Sequence, residues 1–390
     1  MKTTIVHNGR EIQICSRCIY DETLTGISFD ENGICNYCHI MDKFKEQFQT
    51  GKPEGQKKLN EIIDKIKADG KRKKYDCVIG VSGGTDSSYM LVKLIEWGLR
   101  PLAVHYDNTW NTAIATENIR KVLGKLNVDL FTYVIDNKEA DDIFLSFMKA
   151  GVPELDASTD LALAEVMYRA ADKYGVKYIF EGHSFITEGI APIGNMYFDG
   201  KYIKSIHKQF GKLPMKTYPL MDFFAFMKWV LFKRIKKIRP FWYIDYSKND
   251  AREYLQKEFN WEYYGGHHLE NRIVAMQHCY YNFYKFGMDN RNLSLAAAAR
   301  SGAMTREEAI DIYYKQPPFV EEGLLEYFKE RLNLSDEKLD ELMKIPKKTY
   351  KDYPTYKPLF EKLRPLFYLL AKANLVPMSF YVKYTSKDNK

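Results

Sequence analysis

The feature that most narrows the fold is a buried apolar run that breaks into glycines and then into a helix. Tyr75-Asp76-Cys77-Val78-Ile79-Gly80-Val81 has the composition of a strand covered on both faces. Ser82-Gly83-Gly84-Thr85-Asp86-Ser87-Ser88 follows, and a helix is predicted from about Asp86 to Trp97. A strand, a tight glycine turn and a helix start gather backbone N–H groups around one point, which makes an anion site. There is no Gly-Lys-[Ser/Thr], so this is not a Walker loop and no loop lysine reaches a γ-phosphate. Ser82, Ser87 and Ser88 add hydroxyls. Asp86, a carboxylate in an anion-binding turn, is assigned to Mg²⁺, which bridges to the phosphates.

The alternation continues downstream. Further strands are predicted over 102–106, 130–135 and 176–180, with helices over 112–126, 138–149 and 159–174. Strands alternating with helices argue for a doubly wound parallel sheet, whose ligands sit beyond the carboxyl ends of the strands. Upstream, the charged stretch 51–74 is read as a linker with a helix near 57–68. From about 220 the strand signal fades, and helices are predicted over 250–258, 270–286, 305–314, 320–331 and 335–343. Thr305-Arg306-Glu307-Glu308 is a capping box. The expected fold class is therefore α/β, a Rossmann-like doubly wound sheet with an N-terminal four-cysteine module and a helical C-terminal region. The expected division is 1–50 (metal module), 51–74 (linker), 75–220 (α/β domain that carries the phosphate loop) and 221–390 (helical region).

The six cysteines are not spread as a disulfide framework. Cys15-Ser16-Arg17-Cys18 and Cys35-Asn36-Tyr37-Cys38 offer four thiolates that can close a tetrahedron, with structural Zn²⁺ as first choice and iron, single or in a cluster, as the alternative. Cys77 and Cys279 read as packed core residues. The N-terminal residues have no apolar signal core, and no run is long enough to cross a membrane, so a cytoplasmic location is expected. The net charge of +7 fits nucleic acid or anionic nucleotides alike. The segment 223–239, apolar and then basic, reads as an amphipathic helix packed in the C-terminal region, with peripheral membrane contact as the alternative.

The loop resembles the PP-loop of the adenine-nucleotide α-hydrolase superfamily, Ser-Gly-Gly-x-Asp-Ser. That resemblance implies cleavage of ATP between the α and β phosphates and an adenylated intermediate. It also places adenine and ribose contacts at His105-Tyr106-Asp107, and a phosphate-side element at Glu181-Gly182-His183-Ser184. Together with the cysteines, further stretches resemble the N-acetyl sugar amidotransferase family across about 12–312. They are Thr159-Asp160, Thr187-Glu188-Gly189-Ile190-Ala191-Pro192, Asp199-Gly200-Lys201-Tyr202-Ile203 with His207, and Gly265-Gly266-His267-His268-Leu269-Glu270. Lys285–Asp289 with Arg291, and Ser301–Ala309, complete the set.

The resemblance implies an ATP-dependent ligase of bacterial surface polysaccharide, lipopolysaccharide and O-antigen, biosynthesis. It would convert the acetamido group of a nucleotide-linked N-acetyl sugar to an acetamidino group. Asp86, His183, Lys201 and His207 are the expected catalytic groups, with His267 and His268 as further candidates. ATP would meet Ser82, Gly83, Gly84, Thr85, Asp86, Ser87, Ser88, Asp107, Glu181 and Gly182. The sugar would meet Thr159, Asp160, Thr187, Glu188, His267 and His268. No Gly-x-Cys-x-Gly elbow is visible, so ammonia is expected from a separate glutaminase, with a cyclase-like channel subunit as a further partner. No nucleic-acid partner is expected. The rivals are a tRNA-thiolating PP-loop enzyme and a non-enzymatic zinc-knuckle protein that binds RNA or a membrane surface.

Overall fold

The computed structural model describes residues 3–7, 9–190, 196–266, 269–372, 376 and 378–386. It opens on a hairpin of β1 (Thr3–His7) and β2 (Arg10–Ile14). A five-stranded sheet follows, formed by β3 (Cys77–Gly80), β4 (Pro101–Asp107), β5 (Leu130–Val134), β6 (Tyr178–Phe180) and β7 (Lys236–Ile238). All pairings within it are parallel, and the spatial order is β5-β4-β3-β6-β7. The chain winds from β3 out to β5, returns, and continues through β6 to β7 on the other side. The order reverses between β3 and β6, and a crevice at their carboxyl ends is where such sheets bind ligands.

The period-two alternation of side chains separates two cores. Cys77, Ile79, Ala103, Tyr178 and Phe180 face one, and Val78, Leu102, Val104 and Ile179 face the other. The helices Pro53–Gly70, Thr85–Glu96, Ala113–Leu126 and Lys248–Phe259 close the first core; Asn137–Ala150, Ala157–Lys173 and Gly200–Phe210 close the second.

The charged stretch 51–74 is thus more than a linker. Its helix spans Pro53–Gly70, with Pro at the first turn, and buries Leu59, Ile63 and Ile66 against the sheet. At about 1.5–3 kcal/mol for each buried aliphatic side chain, this face makes the helix a layer of the fold.

The segment 223–239 departs furthest from expectation. It is not one amphipathic helix. A short helix, Phe223–Met227, runs into a π-turn, Lys228–Phe232, and the basic half becomes the edge strand β7. The last sheet strand therefore lies past residue 220, where only helices are predicted. The predicted helix 270–286 is Arg272–Ala275 continued as a π-helix over Met276–Phe286. The hairpin and the helices Gly200–Phe210 and Arg291–Ser301 were not predicted. The capping box is present in full: Glu308 N–H donates to Thr305 Oγ1 and Thr305 N–H to Glu308 Oε2. Among the described residues no helix is long and apolar enough to cross a membrane.

Candidate active site and metal centre

The loop Ser82–Ser88 leaves β3 beside the point where strand order reverses. Gly83 has φ +79°, and a Cβ there would lie 2.1 Å from the Ala115 carbonyl oxygen, so only glycine fits. The Gly83 carbonyl accepts from Trp261 Nε1 at 2.9 Å and Asn118 Nδ2 at 3.3 Å, which fixes the orientation of that peptide. The helix Thr85–Glu96 starts at Gly84 with no capping side chain, unlike the helices capped by Thr112, Asp136 and Asp199. Its first N–H groups are left for a ligand. Thr85 Oγ1 is buried without a hydrogen-bond partner among the described residues, the orphaned donor that a bound phosphate oxygen would satisfy. Ser82 Oγ lies 3.4 Å from Ser87 Oγ and 3.3 Å from Glu270 Oε1.

Asp86 already faces a cation. Its carboxylate accepts from Tyr246 Oη at 2.6 Å and pairs with Lys248 Nζ at 2.7 Å. The position assigned to Mg²⁺ is thus one where a positive charge is favoured. Gly182 packs directly on this turn, since a Cβ there would lie 2.8 Å from the Asp86 carbonyl oxygen. Glu181 bonds Lys237 at 2.5 Å and Arg239 at 2.8 Å. Burial works against its charge, but these two cations outweigh it and hold the carboxyl at about 2. Glu181 therefore pins β7 to β6. Trp242 Nε1 donates to His183 Nδ1 at 3.2 Å, which assigns the imidazole proton to Nε2, 3.9 Å from Glu188 Oε2.

The remaining expected site residues are placed as follows. Asp107 ends β4 and accepts from Thr109 N–H at 2.7 Å, a turn-forming bond. Thr159 adjoins the buried Tyr106–Tyr218 hydroxyl pair, and Asp160 is exposed on the same helix. Thr187 Oγ1 is buried and has no hydrogen-bond partner among the described residues. His207 is buried against Asp142 at 3.0 Å; Asp142 also accepts from the Lys212 and Leu213 N–H groups, so the pair ties down the loop after the helix Gly200–Phe210. Lys201 is exposed, its Nζ 5.5 Å from the Tyr356 ring centre. The structure thus joins the loop with Glu181, Gly182, His183 and Glu188, and gives His207 and Lys201 packing partners of their own. Ala191, Pro192, His267 and His268 lie outside the described residues.

Sequence reasoning missed Tyr246, Lys248, Trp261 and Tyr264, which surround the loop. Trp261 and Tyr264 immediately precede the Gly265–Glu270 stretch, and that adjacency was the available signal. Lys248 carries none.

The four sulfurs of Cys15, Cys18, Cys35 and Cys38 lie within 4.8 Å of one another, with close pairs at 3.6, 3.7 and 3.8 Å. Sulfurs bound at about 2.3 Å to a tetrahedral zinc stand about 3.8 Å apart, so the cage fits Zn²⁺. Cys15 is pushed well below the usual thiol range by bonds from Cys18, then Cys35 and Cys38, against the effect of burial. Arg300, buried, donates from Nε to Cys38 Sγ at 3.3 Å and from Nη2 to Cys18 Sγ at 3.5 Å. Arg306 donates to the carbonyls of Cys15 and Cys18. The metal would hold the hairpin and the helix Asn36–Phe48 together.

Residues 243–365 match a family described as LPS biosynthesis protein WbpG-like, C-terminal domain. Among solved structures, similarity is found to NMN synthetase from Francisella tularensis, at 14% identity over 72% of this chain and 94% of that one, TM-score 0.34. The NH3-dependent NAD synthetase from Campylobacter jejuni is 15% identical over 68% and 99%, TM-score 0.29. The U34-tRNA thiolase NcsA from Methanococcus maripaludis, solved with its [4Fe-4S] cluster, is 12% identical over 83% and 89%, TM-score 0.32. No curated protein matches the chain. The matched domain supplies Tyr246, Lys248, Trp261, Tyr264 and Glu270 to the loop, and Arg300 and Arg306 to the cysteines. Residues 243–365 thus match a WbpG-like C-terminal domain, and in this chain they pack on a doubly wound parallel sheet and on a four-cysteine module.

Proposed function

We propose that the chain is an ATP-dependent ligase that converts the acetamido group of a nucleotide-linked N-acetyl sugar into an acetamidino group. The observation that carries the ATP step is the uncapped helix start behind Gly83, with the orphaned Thr85 hydroxyl, at the carboxyl edge of β3. The sugar step rests on the resemblance and on the WbpG-like domain that closes over the loop.

An acetamido carbon is a poor electrophile because its nitrogen donates into the carbonyl. The amide oxygen attacks the α-phosphorus, and pyrophosphate leaves onto the loop N–H groups and Ser82, Ser87 and Ser88. Asp86 would hold Mg²⁺, which would supply charge neutralisation for the departing pyrophosphate. Ammonia then attacks the activated carbon, and AMP departs with the former amide oxygen. Atoms balance: ATP, amide and ammonia give amidine, AMP and pyrophosphate. His183, with its proton on Nε2, and Glu188 are the groups beside the loop suited to move the protons that ammonia sheds. The ammonia comes from a separate glutaminase.

A tRNA-thiolating reading needs a reactive sulfur near the loop. Cys77 lies inside β3 with its thiol pushed up by burial, and burial raises Cys279 to about 11. Neither has the character of a thiolate nucleophile.

The test incubates the protein with ATP, Mg²⁺, ammonium and a panel of nucleotide-linked N-acetyl sugars. The expected result is AMP together with a sugar product about one mass unit lighter, since oxygen is exchanged for NH. AMP without any change in the sugar would overturn the substrate assignment, and no AMP with any sugar would overturn the ATP step.

A further inference from the structure

The helix Arg364–Lys372 is apolar on both sides. Phe367 and Ala371 are buried, and Phe367 packs on Phe223, Phe360 and Phe380. On the opposite side Pro365, Leu366 and Leu369 face outward, Leu366 49% and Leu369 65% exposed, with exposed Lys362 and Lys372 at the two ends. A helix apolar all round is ordinarily covered all round, so the outer face wants a cover. The neighbouring segment repeats the pattern. Phe223 and Phe226 pack inward on Phe360 and Phe380, while Phe224 and Phe232, 71% and 81% exposed, flank an exposed Lys228.

Charge identifies the occupant. Residues 357–372 hold four basic and one acidic side chain, and since buried Lys357 pairs with Glu361, Lys362, Arg364 and Lys372 remain as net positive charge around the face. Large outward apolar groups bordered by lysines match the boundary between anionic headgroups and acyl chains. We propose that this corner docks on an anionic lipid surface. Leu366, Leu369, Phe224 and Phe232 enter the acyl boundary, and Lys228, Lys362 and Lys372 meet lipid phosphates. Within the basic run 233–239, Lys233 pairs with Asp172 while Lys237 and Arg239 pair with Glu181, so these three have no share in it. The inference is independent of the chemistry at the loop.

The test is flotation of the full chain with vesicles of phosphatidylcholine alone and of phosphatidylcholine mixed with phosphatidylglycerol, at low and high salt. Binding is expected only with phosphatidylglycerol, and weaker at high salt. The double variants L366S/L369S and K362E/K372E are each expected to bind about tenfold less or weaker still, with unchanged thermal melting. Equal partition onto both vesicles, no flotation at all, or wild-type binding by both variants would each overturn the proposal. So would a dimer in gel filtration that L366S/L369S converts to monomer, which would assign the face to a second copy of the chain.

Discussion

Asp86 and Lys248 show where sequence reading stops at the scale of the residue. The loop is legible because its chemistry is local: two glycines, four hydroxyls and a carboxylate act within seven positions, directly after a buried strand. Its surroundings are not, because Tyr246 reaches Asp86 from 160 positions away and Lys248 lies beside Tyr246. Lys248 sits at the first turn of a helix that packs on the loop's own helix, so it is carried to Asp86 by tertiary packing alone. Under the proposed function it would hold Asp86 when no Mg²⁺ is bound and would face the polyphosphate when ATP is bound. Lys248→Met is expected to weaken ATP binding about 10- to 100-fold, the worth of a charged hydrogen bond. Calorimetric titration with ATP and Mg²⁺ checks this, alongside a melting curve. Lost stability with undiminished ATP affinity would reduce Lys248 to a packing residue.

At the scale of the element, β3 to β6 declared themselves and the edge strand β7 did not. β3 and β6 are apolar runs that lie within the predicted segments, and β4 extends the predicted 102–106 by one residue at each end. β7 is three residues, two of them lysine, in a basic run that reads as surface. It joins the sheet because Glu181, at the end of β6, collects Lys237 and Arg239 and so removes the cost of placing them there. A single carboxylate therefore decides whether the run is strand or free surface. Glu181→Gln leaves two cations uncompensated and is expected to cost about 1–3 kcal/mol, between a buried and a surface pair because the groups are about a quarter exposed. The folded carboxyl titrates at about 2, below its unfolded value, so the stabilisation is present above the unfolded pKa and is lost as pH falls towards 2. Urea midpoints measured from neutral pH down to pH 3 should fall more steeply for the wild type than for Glu181→Gln. Parallel curves would show that the pairs contribute nothing.

Across the whole molecule, the cysteine module and the ATP loop are joined through one segment. The four cysteines could be read from their spacing, but nothing in the sequence says what they are for. The helix that begins at Cys35 and Cys38 runs to Phe48. Phe44 and Phe48 pack on Phe185 and Trp242, and Trp242 donates to His183. Tyr20, inside the module, donates to the Ile190 carbonyl at the far end of the same segment. Residues 183–190 are thus held between the metal cage and the carboxyl edge of the sheet. Arg300 locks the cage from the side of the C-terminal domain, placing a buried cation against two of the sulfurs. Stripping the metal should therefore abolish AMP formation although no cysteine touches the loop, and it should loosen 183–190 as read by hydrogen exchange. Arg300→Met keeps the bulk and removes the donors. It is expected to weaken metal retention about 10- to 100-fold in a competition with a chromogenic chelator, the usual cost of losing a group that orients metal ligands. If the stripped protein exchanged hydrogen over 183–190 at the native rate and still made AMP, the cage would be a separate fold resting on the enzyme. The ring and hydrogen-bond contacts between them argue the opposite, that the metal sets the position of His183.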